Sequence, residues 1–388
     1  MIYYQNDKCI LHHGDVIDCL RELEAESVQC VVTSPPFWNL RDYGVEGQMG
    51  LESSVGEYIE KLVSVFAEVK RVLRKDGICF CEIGDSYASG KGTCFNPGGG
   101  EESIETRSGK KDAGTYPLDR GSTLTLRRDN LKPKDLCLVP FRLALALQAD
   151  GWWVRSDIIW AKPNPMPESV TDRPTSSHEH VFLLAKSANY YYDADAVTQK
   201  VLNSSGGKFG GTKKDAAGSV RGDTGNPRAD NYTSRNLRTV WTIPTESFSG
   251  SHYATYPQKL VQPCVLAGTS ERGACAKCGA PWERLMERSV ENDKGDKRAQ
   301  PKSTLSGGYM ATGKVLRQQR DWRPTCECNC PDTVPCVVLD CYSGGGTTGL
   351  VALKLGRHYI GIDLNKDYLE MSLRRMDAAL AQETLQIE

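Results

Sequence analysis

Apolar and polar residues alternate in blocks that predict strands and helices in turn over the first ninety residues. Two short apolar runs, at 9–13 and 28–32, predict buried strands. Apolar side chains recur at helical spacing over 57–77, where Gly77 is expected to end a helix. A third buried strand is predicted over 78–85. This alternation is typical of a parallel sheet with helices on both faces.

The pattern resumes after residue 135 and continues to the end of the chain. A helix near 136–149, a strand over 152–160, a proline-rich loop over 162–174 and a strand over 179–186 follow one another. The last part reads as strand, glycine turn, helix, strand and helix, beginning at 337. We therefore expect a doubly wound, mostly parallel α/β fold.

Two segments interrupt the alternation. Residues 89–134 are rich in Gly, Ser, Lys and Arg, which predicts a flexible insertion. Residues 200–238 carry eight Lys or Arg against three Asp, with almost no apolar periodicity. Such a local basic excess favours contact with phosphates, although a solvated loop without a ligand has the same composition.

Composition excludes several classes. The formal net charge is −1, so any nucleic-acid surface has to be local. No apolar run reaches the roughly 18 residues of a membrane span, and the first residues lack the features of a secretory signal. Fifteen cysteines spread over 388 residues then indicate reduced thiols, and perhaps a metal, in a cytoplasmic protein.

The glycine turn after the strand at 337–339 is a candidate cofactor site. Gly344, Gly346 and Gly349 match the G-x-G-x-x-G spacing, and Asp363 ends the next strand, where an acid binds ribose hydroxyls. NAD, FAD and S-adenosylmethionine all use this kind of turn, and Asp363 could instead cap a helix. The absence of Gly-Lys-Ser/Thr after the glycines disfavours a nucleoside triphosphate.

The buried strand at 28–32 runs into Thr33-Ser34-Pro35-Pro36-Phe37. Prolines have fixed φ and no N–H, so a proline pair leaves its carbonyls free to face something other than a strand. A tight strand-to-loop turn is the alternative explanation for this corner.

Three separated motifs carry a family resemblance. "TSPPF" at 33–37, "HYATYPQKL" at 252–260 and "DCYSGGGTTG" at 340–349 resemble the β-class DNA amino-methyltransferases, in which the catalytic motif precedes the cofactor motif. The likeness extends over most of the chain. This sequence departs from the family pattern at Cys341-Tyr342, where Pro-Phe is usual, and at Gly345, where Ser is usual.

The resemblance implies a circularly permuted S-adenosylmethionine-dependent methyltransferase fold with double-stranded DNA as partner. It implies a catalytic set and a cofactor-binding set. The catalytic set is Ser34, Pro35, Pro36 and Phe37. The cofactor set is Asp15, Thr33, Tyr256, Pro257, Lys259, Asp340, Tyr342, Gly344, Gly346, Thr347, Thr348 and Asp363. Asp15 could equally be a helix cap, and Lys259 a solvated charge.

The catalytic motif suits methylation of an exocyclic amine. The lone pair of such an amine is delocalised into the base, and acceptors for its two hydrogens favour the pyramidal, nucleophilic form. Ser34 Oγ and the Pro35 carbonyl are the candidate acceptors, and Phe37 would stack on a flipped-out base. Trp38 would extend this wall or pack internally.

The resemblance associates Ser at position 34 with cytosine N4, and adenine N6 is the alternative acceptor. A DNA-binding protein with a decayed cofactor site is the rival from another class, since Cys341 and Gly345 depart from the pattern. A dinucleotide oxidoreductase would leave "TSPPF" unexplained.

Four cysteines have the spacing of a zinc ribbon. Cys275 and Cys278 form a C-x2-C pair, and Cys326 and Cys328 form a C-x-C pair, with Cys330 as a spare thiol. Four thiolates suit tetrahedral zinc in a structural role, and free reduced cysteines are the alternative.

These motifs divide the chain into five predicted parts. They are a catalytic part at 1–195, a target-recognition region at 196–250, a cofactor-proximal loop and helix at 251–271, a zinc-ribbon insertion at 272–333 and a cofactor-binding part at 334–388.

Overall fold

The computed structural model describes residues 1–88, 129–200, 234–246, 255–291 and 314–385. Most of the predicted insertion (89–128) and of the basic segment (201–233) lies outside the described residues. The chain divides into two compact units. One comprises Met1–Asp193, Arg238–Trp282 and Pro324–Glu388, and the other comprises Ala194–Leu237 and Glu283–Arg323.

The described strands and helices follow in chain order. The strands are β1 (Ile2–Gln5), β2 (Cys9–His13), β3 (Val28–Thr33), β4 (Leu73–Ile83), β5 (Trp153–Ala161), β6 (His178–Ala185), β7 (Gln199–Lys200), β8 (Ser234–Arg235), β9 (Val240–Thr242), β10 (Ala274–Cys275), β11 (Trp282–Glu291), β12 (Lys314–Pro324), β13 (Thr333–Val334), β14 (Val337–Asp340) and β15 (His358–Asp363). The helices are α1 (Val16–Glu22), α2 (Val55–Val72), α3 (Val139–Ala149), α4 (Gln258–Gly268), α5 (Thr347–Lys354) and α6 (Lys366–Leu385).

Nine strands of the first unit form one sheet in the order β1-β2-β15-β14-β3-β4-β6-β5-β9. Strands β2, β15, β14, β3 and β4 are parallel, while β6 is antiparallel to both β4 and β5. The sheet includes β9, which falls inside the range predicted for target recognition. The strand before the glycine turn, β14, lies directly beside β3, so the carboxyl ends of these two strands meet at one edge of the sheet.

The second unit contains a short two-stranded sheet and a longer one. Strand β7 pairs antiparallel with β8, and β11 pairs with β12.

Helices cover both faces of the large sheet, as the sequence predicted. Val31 of β3 packs in the cluster formed by α1, α2 and α3, whereas the neighbouring Cys30 contacts Cys264 of α4. Successive residues of a strand point to opposite faces, so these two sets of helices lie on opposite sides. None of the described helices combines the length and the apolar character needed to cross a bilayer.

The helix predicted to run to Gly77 ends earlier. Helix α2 stops at Val72, and Gly77 lies within β4. A Cβ on Gly77 would come 2.7 Å from Leu73 Cδ1 and 2.9 Å from the Gln29 carbonyl oxygen. Gly77 is therefore needed for close packing between strands, and it does not end the helix.

We expect Gly77→Ala to lower the free energy of unfolding by about 1–3 kcal/mol, because the added methyl has no room beside the Gln29 backbone. Thermal and urea unfolding measure the change. Gly56→Ala is the matched control. It lies in α2 with its nearest side-chain neighbour 3.6 Å from the added Cβ, so we expect stabilisation of up to about 1 kcal/mol. Equal stability of Gly77→Ala and the unaltered chain would contradict this account.

Candidate active site

The proline corner at the end of β3 is anchored from two sides. Thr33 is buried and donates to Asp340 Oδ1 at 2.8 Å, and Tyr58 donates to the Pro36 carbonyl at 2.8 Å. A Cβ on Gly84 would come 2.5 Å from the Phe37 ring, so the ring lies directly against that backbone. Trp38 is buried and donates to the Glu52 carbonyl at 3.2 Å, so it packs internally.

Glycine is required at the three fingerprint positions for different structural reasons. Gly344 and Gly346 have φ of +49° and +71°, a region that favours glycine. A Cβ on Gly346 would come 2.5 Å from Ser372 of α6, and one on Gly349 would come 2.5 Å from the Tyr359 ring. Gly346 and Gly349 therefore permit close packing inside the protein, while Gly344 and Gly345 line a cavity.

Asp340 joins the two ends of the chain through a buried hydrogen-bond network. Its Oδ1 accepts from Thr33 Oγ1 at 2.8 Å and from the Tyr342 N–H at 3.1 Å. Its Oδ2 accepts from the Tyr256 and Thr348 hydroxyls, both at 2.8 Å. Burial raises the pKa of Asp340, and these four hydrogen bonds act in the opposite direction by favouring the carboxylate.

Asp363 ends β15 and faces the glycine turn. Its Oδ2 accepts from the Gly344 N–H at 2.7 Å, and its Oδ1 accepts from the Asn365 N–H at 2.8 Å. Asn365 Oδ1 accepts from the Asp367 N–H at 2.9 Å, so Asn365 caps the first turn of α6. Asp363 itself lines the cavity. Burial raises the pKa of Asp363 to about 6.

One cavity of about 740 Å³ joins the proline corner to the glycine turn. The predicted site residues that line it are Asp15, Ser34, Pro35, Pro36, Phe37, Tyr256, Tyr342, Gly344, Thr347 and Asp363. The predicted residues outside its lining are Thr33, Pro257, Lys259, Asp340, Gly346 and Thr348. Thr33, Asp340 and Thr348 belong to the buried hydrogen-bond network around Asp340, and Lys259 is exposed.

Asp15 caps a helix and also lies in the cavity lining. Its carboxylate caps α1 by accepting from the Ile17 and Asp18 N–H groups, at 2.9 and 3.2 Å, and the residue also lines the cavity. Pro257 is buried at the N-terminus of α4.

Charged residues that the sequence reasoning did not select form a further wall. Glu82 of β4, Glu179 of β6 and Lys162 all line the cavity, together with Trp160. Lys162 Nζ lies 2.5 Å from Glu179 Oε1 and 4.4 Å from the Trp160 ring centroid. The sequence did contain one indication of this wall, namely a glutamate inside an otherwise apolar strand. In the structure Glu82 is only 6% exposed, which is unusual for a charged residue.

The four predicted zinc ligands converge in the first unit. The Sγ atoms of Cys275, Cys278, Cys326 and Cys328 all lie within 4.8 Å of one another. Backbone N–H groups of Cys278 and Lys277 lower the pKa of Cys275 to about 6, which favours the thiolate.

The first cysteine pair is fixed against the large sheet. Gln29 Nε2 donates to the Gly279 carbonyl at 3.0 Å, and Arg74 donates to the Cys278 carbonyl at 2.5 Å. Both side chains are buried, so this loop is attached to β3 and to the start of β4.

Comparison with known proteins decides the family. Residues 28–276 and 336–374 match the family model for N6/N4 DNA methylases, which is described as DNA methylase. The chain belongs to the N6/N4 DNA methylase family.

This DNA methylase is similar to type II methyltransferases along nearly its whole length. It is 37% identical to type II methyltransferase M.Cfr9I of Citrobacter freundii over 94% of this chain and 87% of that protein. It is 34% identical to M.SmaI of Serratia marcescens over 95% and 90% of the two chains.

Among solved structures, the PvuII DNA methyltransferase, which is described as cytosine-N4-specific, matches this DNA methylase with a TM-score of 0.50. Sequence identity is 15%, and the match covers 96% of this chain and 87% of the PvuII chain. At that identity the likeness concerns the fold.

Proposed function

We propose that this chain transfers a methyl group from S-adenosylmethionine to N4 of a flipped-out cytosine in double-stranded DNA. One observation carries the proposal: Ser34 and Pro35 share a single cavity with Gly344 and Asp363, although more than 300 residues separate the two motifs. A methyl donor and an acceptor base must meet within bonding reach, and one cavity with both motifs on its walls satisfies that requirement.

The glycine-turn end of the cavity fits the cofactor. Asp363 presents a carboxylate for ribose hydroxyls, and apolar side chains beside it, including Ile362, Leu364 and Tyr368, suit an adenine ring. Tyr256 and Tyr342 line the same cavity. When bound, S-adenosylmethionine supplies an electrophilic methyl group on a sulfonium.

The proline-corner end fits the base. Ser34 Oγ and the Pro35 carbonyl supply acceptors for the two amino hydrogens, and Phe37 is held for stacking by the backbone of Gly84. A base inside a duplex cannot enter such a pocket, so the target has to be extruded, at a cost of roughly a few kcal/mol.

The acceptor assignment rests on Ser34 and on the family resemblance, with adenine N6 as the alternative product. A non-catalytic DNA-binding role is the rival from another class. The intact hydrogen bonds around Asp340 argue against a decayed cofactor turn, because Tyr342 still donates to Asp340 despite the departure at Cys341.

We also propose the wider arrangement that follows from this function. The order of the motifs corresponds to a circular permutation, with β14 and β15 contributing the cofactor end although they come last. Residues 196–250 are proposed to contact the target DNA through their basic excess. The chain would act on DNA in the cytoplasm, as a methyltransferase of the restriction-modification type.

A structural zinc ion is proposed at the four-cysteine cluster. Tetrahedral zinc with bonds of about 2.3 Å to sulfur requires sulfurs about 3.8 Å apart, which fits thiols that all lie within 4.8 Å of one another. With four protein ligands, the ion would leave no position open for chemistry and would hold the ribbon at 272–333.

The first prediction concerns the product. DNA from cells that express the chain is expected to contain N4-methylcytosine, as measured by liquid chromatography and mass spectrometry of its nucleosides. Ser34→Ala should lower the transfer rate by about 10²-fold or more through loss of an acceptor, whereas Ser64→Ala, on the exposed face of α2, should leave the rate unchanged. N6-methyladenine in place of N4-methylcytosine would refute the base assignment, and no methylated base would refute the function.

The second prediction concerns pH and cofactor affinity. The ribose hydroxyls should favour the Asp363 carboxylate, so binding should lower the pKa of about 6 that Asp363 has in the free protein. Affinity for S-adenosylmethionine should then increase as pH rises through about 6, as calorimetry between pH 5 and 8 would measure. Asp363→Asn should remove this dependence and weaken binding about 10- to 100-fold. The exposed control, Asp367→Asn, should behave like the unaltered protein. If the affinity of the unaltered protein did not depend on pH, Asp363 would not bind the ribose as proposed.

The third prediction concerns the metal. Protein purified without chelators should contain one zinc ion per chain by elemental mass spectrometry. Cys278→Ser should lose the ion and unfold at a lower temperature, whereas Cys330→Ser, outside the cluster, should retain it. Zinc-free protein with unimpaired stability would rule out the proposed site.

A further inference from the structure

A buried carboxyl group in the cavity has no role in the reaction described so far. Glu82 is 6% exposed and lines the cavity, and its Oε1 has no hydrogen-bond partner among the described residues. An unpartnered buried oxygen costs about 1–3 kcal/mol, so its retention inside a site calls for a function.

Sheet register places Glu82 beside the catalytic motif. Thr33 pairs with Cys81 in the parallel β3–β4 ladder, so Ser34, one residue further, comes level with Glu82. This placement allows the Ser34 hydroxyl to donate to the Glu82 carboxylate, an interaction that lowers the pKa of Glu82.

Two further charged groups reach the same place from the antiparallel strands. Val181 of β6 pairs with Glu82, and Glu179, two residues earlier, therefore projects from the same face. Glu179 pairs with Trp160 of β5, and Lys162 follows Trp160 by two residues. Lys162 forms an ion pair with Glu179, and its charge also acts on Glu82.

We propose that Glu82 receives, through the Ser34 hydroxyl, the proton that the target amine loses on methylation. This inference rests on the proposed function. The amine nitrogen forms a bond to the methyl carbon while the carbon–sulfur bond breaks and its electron pair remains on sulfur. The amine proton passes to Ser34 Oγ, and the Ser34 proton passes to the Glu82 carboxylate.

The same hydrogen bond sets the direction of Ser34 before the reaction. When Ser34 donates its proton to the Glu82 carboxylate, the lone pairs of Oγ are left to accept from the amine. Glu82 thus acts on Ser34 as a positioning residue and also removes the proton.

The surroundings of Glu82 tune its basicity in both directions. Burial raises the pKa of Glu82 well above its usual value, and Glu179 raises it further through its like charge and through hydrogen bonding between the two carboxyl groups. The hydrogen bond from Ser34 and the charge of Lys162 lower the pKa of Glu82. A carboxyl poised in this way is a stronger base than an ordinary glutamate, as general-base catalysis near neutral pH requires.

Two other titratable groups face Glu82. They are Tyr58 of α2 and the adjacent Cys81 of β4, each of which interacts electrostatically with Glu82. Burial raises the pKa of both groups, so both remain neutral in the pH range of interest.

The alternative role for Glu82 is that of a general acid. A protonated Glu82 that donated to the ring nitrogen next to the amine would draw the amine lone pair further into the ring. That effect opposes methyl transfer, so the base role is favoured on chemical grounds. The two roles also predict pH dependences of opposite sign.

The test is the pH profile of methyl transfer in a single turnover, at saturating S-adenosylmethionine and with DNA that sequencing has shown to contain the modified site. Because Glu82 must be deprotonated to accept a proton, the rate should rise with pH through the pKa of Glu82 and then level off. Glu82→Gln should be about 10²-fold slower on the plateau and should lose the rising limb. Glu82→Asp should recover part of the rate and the pH dependence.

The neighbours provide two further variants. Glu179→Gln removes a like charge and should move the rising limb to lower pH, whereas Lys162→Met removes the cation and should move it to higher pH. Glu60→Gln, at an exposed position of α2, is the matched control and should leave the profile unchanged. Affinity for S-adenosylmethionine should be unaltered in Glu82→Gln, and its melting temperature should not fall, because the buried carboxylate itself costs stability.

Several outcomes would overturn the inference. They are a Glu82→Gln variant with the original rate and rising limb, and a rate that falls with pH in a Glu82-dependent manner. If Glu82→Gln fails to fold, the other two variants decide. The inference is overturned if the rising part of the pH profile has the same position in Glu179→Gln and Lys162→Met as in the unaltered protein. If the unaltered chain methylates no DNA at all, the proposed function itself fails, which is a separate result.

Discussion

The hydrogen bond between Thr33 and Asp340 is the contact on which the site depends. It joins the last residues of β3 and β14, two neighbouring parallel strands that come from opposite ends of the sequence. The same carboxylate also holds Tyr256 and Thr348, so one buried acid fixes the proline corner, the glycine turn and the segment before α4. All four contacts are made by hydroxyl or amide donors, and these hydrogen bonds favour the carboxylate form of Asp340 while burial raises its pKa.

Negative charge is a general property of the cavity walls. Asp15, Glu82, Glu179, Glu246 and Asp363 all line it, against Arg41 and Lys162. A sulfonium is cationic, and a base amine gains positive charge as it is methylated, so an acidic interior suits both under the proposed function. DNA phosphates require the opposite sign, which separates the surface that would bind the duplex from the pocket that would receive the base.

The sequence was sufficient for the fold and for two walls of the cavity. Strand and helix periodicity identified the sheet, and both motifs lie where the parallel strands end, because local patterns determine these features. All the assignments of residues to the cofactor stay predictions. Six of those residues lie outside the cavity lining: Thr33, Pro257, Lys259, Asp340, Gly346 and Thr348.

The charged wall of the cavity, formed by Glu82, Glu179 and Lys162, was not predicted from the sequence, for a physical reason. Glu82 and Glu179 come together through the antiparallel register of β4 with β6, and Lys162 joins them through that of β5 with β6. Register between distant strands is set by tertiary packing, so no local sequence pattern carries it. Gly77 was misread for a related reason, because its requirement comes from the Gln29 backbone in another strand.

The strand order has a consequence for biosynthesis. Strands β2 and β3 are consecutive along the polypeptide, yet β15 and β14 lie between them in the sheet. As the ribosome releases the chain, the sheet therefore contains a gap that only residues 337–363 can fill. Until those residues emerge, the facing edges of β2 and β3 lack their partners, and unpaired edges are prone to aggregation. Completion of the sheet and assembly of the cavity are thus a single late event in the life of each molecule.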